Sequence, residues 1–106
     1  MGGMTFRFEA ELWRWAARRE LWTFVSLPLD VSDLVTELVE GATNGWGSVR
    51  VDAEIGGARF RTSIFPAGTG LGEAGSWVLP VKRAVRDAAA AELGDVVTVE
   101  LELVDF

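Results

Sequence analysis

The chain has 106 residues, 49 % of them hydrophobic and 25 % charged, with no Cys, His or Tyr and a formal net charge of −6. The apolar fraction excludes a disordered chain, and the length accommodates one domain around one core, spanning residues 1–106. The missing residue types exclude disulfides, thiolate or imidazole metal sites, and Cys–His or Ser–His–Asp catalysis within these residues; the acidic balance opposes general phosphate-backbone binding.

Residues 5–15 alternate, with Phe6, Phe8, Ala10 and Leu12 on one face and Arg7, Glu9, Glu11 and Trp13 on the other. Period two over that length predicts a half-buried strand. Residues 16–19 break the pattern and read as a connection. Residues 20–27, rich in aromatic and β-branched side chains, predict a second strand that Pro28 ends and that pairs with the first as a hairpin. Asp30 then opens a helix whose apolar positions Val31, Leu34, Val35, Leu38 and Val39 share one face. Asp30 is placed to cap it, Asp33 puts negative charge in its first turn, and Gly41 is its expected stop.

Residues 48–55 alternate again, with Val49, Val51, Ala53 and Ile55 inward. Gly56-Gly57 follows, then a strand over residues 58–65. Two strands separated by Gly-Gly predict a two-residue hairpin with φ > 0 at the turn. Counting outward pairs Ile55 with Ala58, Glu54 with Arg59, Ala53 with Phe60, and Asp52 with Arg61, which makes both arginines structural. The Gly-rich residues 66–75 read as a loop, and residues 76–79 as a short strand. Pro80 suits the first position of a second helix, with Val81, Ala84, Val85, Ala88 and Ala91 or Leu93 buried and Gly94 at its end. Residues 96–106 form the last strand, with Val97, Val99, Leu101 and Leu103 inward.

The fold class is therefore mainly β with two helices, in the order β-β-α-β-β-β-α-β. Two narrow helical stripes cannot cover a large open sheet. A small closed or partly closed β-barrel capped by the helices satisfies the pattern. No apolar run reaches the length of a membrane span, and the first residues lack the charge and apolar core of a signal peptide, so a cytoplasmic location is expected.

The ordered set of Phe6-x-Phe8-x-Ala10-x-Leu12, the run from Trp22 to Pro28, Thr62-Ser63-Ile64-Phe65-Pro66, the run from Leu79 to Arg86, and Gly94-Asp95-x-Val97 resembles a small bacterial family, domain of unknown function 1905. The resemblance spans nearly the whole chain. It implies a β-barrel of the double-split type with helices at its ends, found alone or joined to a bacteriocin-protection domain of the YdeI/OmpD-associated type. It implies no catalytic residues, because the family has no established activity.

The residues themselves offer several sites. Gly70, Gly72 and Gly75 spell GxGxxG, but the motif leads into a strand, whereas a dinucleotide site needs a helix there. Lys82, Arg83 and Arg86 crowd the start of the second helix, where the dipole disfavours cations. With Trp77 they form a candidate site for a small anionic ligand; the alternative is that they pair with Glu9, Glu11, Glu100 and Glu102. Those glutamates lack the convergent loop ligands of a hard-cation site, so no metal and no cofactor is expected. Trp22, Trp46 and Trp77 read as core or barrel-mouth packing. Trp13 and Trp15 fall on the polar side of their strand, interleaved with Arg14 and near Arg18 and Arg19, which suits a homodimer or partner-protein surface better than stacked nucleic-acid bases. The leading function is a non-catalytic small-ligand or protein-interaction module. An enzyme or accessory domain using carboxylates and Lys82 stands second, and a nucleic-acid-binding barrel third.

Overall fold

The computed structural model describes residues 5–15, 22–42, 48–67 and 75–105. Its elements are β1 (Thr5–Glu11), β2 (Trp13–Trp15), β3 (Trp22–Ser26), α1 (Leu29–Ala42), β4 (Val49–Ile55), β5 (Ala58–Pro66), β6 (Trp77–Pro80), α2 (Arg83–Ala89) and β7 (Val96–Asp105). The strands form one curled antiparallel sheet in the order β1-β7-β4-β5-β6-β3-β2, a half-barrel.

The expected first strand is two. Its alternation is continuous, but residues 5–11 pair with β7 and residues 13–15 with β3. The break is Leu12, whose N–H donates to the Asp95 carbonyl at 2.9 Å and whose carbonyl accepts from Gly94 N–H at 2.9 Å. This hold on the turn before β7 redirects the chain, so the hairpin partner of β3 is β2 alone. β5 makes the complementary switch: residues 58–64 pair with β4, and Phe65 and Pro66 with β6. Two strands shared between two sheet halves curl the sheet around its apolar side.

That side carries Phe6, Phe8, Val25, Leu27, Val51, Ile55, Ile64, Leu79, Val99, Leu101 and Leu103, with Val35 and Val39 of α1 packed into the same cluster. The β4–β5 hairpin has the expected register, from Ile55↔Ala58 through Asp52↔Arg61, and Gly56 and Gly57 take φ of 56° and 86°. Both central residues at positive φ make the turn whose twist suits a two-residue hairpin.

The helices depart from the sequence pattern. α1 begins one residue early, at Leu29, so Asp30 lies inside its first turn and accepts from Val31 N–H at 2.9 Å. Its buried side is centred on Ser32, Val35 and Val39, leaving Leu34, expected inside, 46 % exposed. Ser32 explains the rotation. Its hydroxyl donates to the Leu27 carbonyl at 3.2 Å and accepts from Trp77 N–H at 3.0 Å, tying the helix to β6 by its polar position. α2 is shorter than expected. Pro80 is the buried last residue of β6, opposite Phe24, and Val81 N–H still donates to the Thr23 carbonyl at 2.8 Å. The sheet ladder therefore holds the chain to Val81, and helix begins only at Arg83. It stops at Ala90, which takes the left-handed conformation with φ of 54°, while Ala91 N–H reaches back to the Arg86 carbonyl at 2.9 Å. Ala84, Ala88 and Leu93, expected on a buried face, are exposed as a result.

Candidate functional site

Three groups of side chains stand out among the described residues. The first is the basic cluster at α2. Lys82 is the N-cap residue, with φ of −70° and ψ of 159°, and makes no side-chain capping bond. It is exposed, as is Arg83, whose Nε lies 3.8 Å from Asp87 Oδ2 one turn along the helix. Such an exposed pair contributes little. Arg86 is half-buried, and its Nε is enclosed with no hydrogen-bond partner among the described residues. Trp77 belongs to the core: it is 5 % exposed, its indole N–H donates to Thr36 Oγ1 at 3.0 Å and its backbone N–H to Ser32 Oγ. Both its donors are engaged by α1. Residues 68–74, with most of the GxGxxG motif, lie outside the described residues, as do Trp46, Arg18 and Arg19. Beyond Gly75 the chain enters β6, a strand where a dinucleotide site needs a helix.

The second group is aromatic. On β3, Trp22, Phe24 and Ser26 share the face opposite Thr23 and Val25. β2 lays Trp13 opposite Phe24 and Trp15 opposite Trp22. Phe24 is the hub: its ring centroid lies 5.3 Å from Trp13, 6.5 Å from Trp15 in an edge-on arrangement, and 6.2 Å from the stacked Trp22. Trp13 Nε1–H donates to Ser26 Oγ at 2.9 Å, which fixes its ring. Trp13 and Trp15 are half-buried, Trp22 is 45 % exposed, and Arg14 is exposed on the other face of β2. Alternation places Trp13 and Trp15 from sequence alone. Trp22, read as packing, stacks on Phe24 and keeps 45 % of its surface exposed.

The third group is the outer face of sheet strands β1, β7, β4 and β5, a depression of about 500 Å³. Register aligns Arg7, Glu100, Glu54 and Arg59 in one row and Thr5, Glu102, Asp52 and Arg61 in the next. Four carboxylates thus run down the middle, framed by arginines. Arg61 grips Asp52 through two bonds of 2.7 and 3.1 Å, Arg59 Nε lies 3.5 Å from Glu54, and Arg7 lies 3.6 Å from Glu100. The Arg61 hydrogen bonds hold the Asp52 carboxyl below its usual range and push the guanidinium up. A proton donor or acceptor working near neutrality needs the opposite shift. Among the described residues no group of His, Cys, Asp or Glu is arranged to hold a metal ion, and no helix is long and apolar enough to cross a membrane.

Glu100 is thus engaged by Arg7 of the neighbouring strand, and Arg83 by Asp87 of its own helix. No curated protein matches the chain. A family model does match over residues 8–101, and the chain belongs to the family described as domain of unknown function (DUF1905).

Proposed function

We propose that this domain is a non-catalytic protein-interaction module in a bacterial cytoplasmic setting, and that its recognition surface is the Trp13, Trp15 and Trp22 face of the sheet, with Arg14 on the opposite face of β2. The observation that carries this reading is the stacked cluster around Phe24, which leaves Trp22 45 % exposed on a sheet face. Tryptophan and arginine dominate the energetics of protein interfaces, and aromatic rings held by neighbours lose little freedom on binding. A partner segment bearing apolar side chains fits this surface. The test is selection of a displayed random-peptide library on the wild type and on Trp22→Ser. Enriched peptides should carry that composition and lose binding to the variant; peptides that hold both proteins equally would refute the assignment.

A second reading, binding of a small oxyanion by Lys82, Arg83 and Arg86, is favoured by the enclosed Arg86 Nε, which has no hydrogen-bond partner among the described residues. Sulfate at about a hundred times its dissociation constant would stabilise such a site by about 2.7 kcal/mol through mass action. The comparison is wild type against the double variant Lys82→Ala/Arg86→Ala, in sulfate and chloride at matched ionic strength. An undiminished sulfate response in the variant would eliminate the site.

A further inference from the structure

β1 and β2 are halves of one extended run that pair with different strands, β1 with β7 and β2 with β3. Beyond the last β2–β3 pair, Trp13↔Phe24, the same register would set Glu11 opposite Ser26 and Glu9 opposite Pro28, but the ladder stops there. Pro28 has no N–H to give, and its carbonyl accepts from Ser32 N–H of α1 at 2.8 Å. The chain then turns into α1 at Leu29. The wall is left with a cleft of about 460 Å³, bounded by Glu9 and Glu11 on one side, Ser26, Pro28 and Leu29 on the other, and Trp13 at its end. A side chain fits where a strand does not.

The lining of this cleft suits a cation. Glu9 and Glu11 are exposed, and neither is in an ion pair with a described residue. Their neighbours on β7, Thr98 and Val96, are uncharged, and Arg7 lies 3.6 Å from Glu100. The start of α1 borders the cleft, but Asp30 already faces its N–H groups, accepting from Val31 at 2.9 Å. Leu12 directs its N–H and carbonyl to the turn before β7. Backbone groups alternate sides along a strand, so those of Glu9 and Glu11 point to the cleft side, where their carbonyls add acceptors. Trp13 is a fixed aromatic wall, held by Ser26 Oγ at 2.9 Å and by Phe24 at 5.3 Å, and an indole attracts a cation. Leu29, 49 % exposed, offers apolar surface to an alkyl stem. The two carboxylates stand two residues apart on one strand, about 7 Å, too far to clasp one planar guanidinium side by side. A compact ammonium with three rotatable donors can divide them among these acceptors.

We propose that this cleft takes the ammonium of a lysine side chain from the partner segment, beside the apolar side chains that cover Trp15 and Trp22. The inference rests on the aromatic face as the recognition surface and adds the charge of its partner, in keeping with a chain of net charge −6.

The test titrates wild-type protein with Nα-acetyl-lysine methylamide at millimolar concentrations and constant ionic strength, following the tryptophan indole N–H signals by NMR; Trp13→Phe identifies the Trp13 signal. The lysine probe should shift that signal saturably, the norleucine analogue, which lacks the ammonium, should not, and the arginine analogue should bind more weakly. Glu9→Gln/Glu11→Gln should weaken lysine binding about tenfold or more, with circular dichroism showing the variant folded. Trp22→Ser should leave it unchanged, because the probe has no apolar side chain to cover that ring. A Trp13 signal that lysine leaves unmoved or norleucine moves equally, tighter binding of the arginine analogue, or an undiminished response in Glu9→Gln/Glu11→Gln would each overturn the proposal. Failure of the aromatic-face reading shows separately, in library peptides that ignore Trp22.

Discussion

Ser32 is the strongest test of how α1 is seated. It has no exposed surface, and its hydroxyl joins the Leu27 carbonyl at 3.2 Å to the Trp77 N–H at 3.0 Å. Ser32→Ala removes both bonds. Leaving the buried Trp77 N–H without an acceptor costs about 1–3 kcal/mol, and losing the Leu27 bond about 0.5–1.5 kcal/mol. The better helix propensity of alanine returns about 0.5 kcal/mol. The net expectation is a loss of about 2 kcal/mol, a fall of about 8 °C in Tm for a domain of this size. Thr36→Val is the control. It removes the acceptor of the Trp77 indole N–H, but that contact is only part-buried and water can replace it, so the loss should stay below about 1 kcal/mol. Urea unfolding followed by circular dichroism measures both, with unchanged m-values showing that both variants unfold from the same compact state. If Ser32→Ala unfolds no more easily than Thr36→Val, the hydroxyl does not seat the helix and the explanation for the exposed Leu34 fails.

Other expectations are local. Gly57→Ala should cost about 1 kcal/mol from its positive φ alone, since nothing lies within 4 Å of the added carbon. Gly56→Ala should cost more in the same urea assay, because its carbon would also sit 3.1 Å from Ala89 Cβ and 3.2 Å from the Ala89 carbonyl; equal losses would place α2 further from the hairpin. Ala90→Gly should raise stability by up to about 1 kcal/mol, because a non-glycine residue holds the left-handed helix cap at φ of 54°. The Asp52 carboxyl is held below its ordinary value by Arg61, so its contribution is complete above its unfolded pKa of about 4 and disappears as pH falls through the lower folded value. Stability measured across that acid window should fall less steeply in Arg61→Gln than in the wild type; identical profiles would show that the pair contributes nothing.

The parts of this fold that were legible from the chain alone are those decided within a few residues. Gly56-Gly57 supplies a turn only residues without a Cβ adopt easily, and the turn then counts out every pair to Asp52↔Arg61. Strict alternation sorts Phe6 and Phe8 from Arg7 and Glu9, and puts Trp13 and Trp15 on the face opposite Phe6 and Phe8 before any partner is known. The family match over residues 8–101 was likewise foreshadowed by short runs whose order and spacing local sequence preserves. What the chain could not disclose depends on bonds between distant segments. Alternation continues through Leu12 because the strand's conformation continues; the split into β1 and β2 is imposed by Gly94 and Asp95, more than eighty residues away. Pro80 is an ordinary first helical residue until Phe24 pairs with it and Thr23 claims the next N–H, so the basic cluster begins before the helix that was to carry it. Leu34 has the spacing of a core residue, yet a buried serine hydroxyl turns the helix away from it. In each case a local preference yields to long-range hydrogen bonds whose buried donors and acceptors would otherwise have no partner.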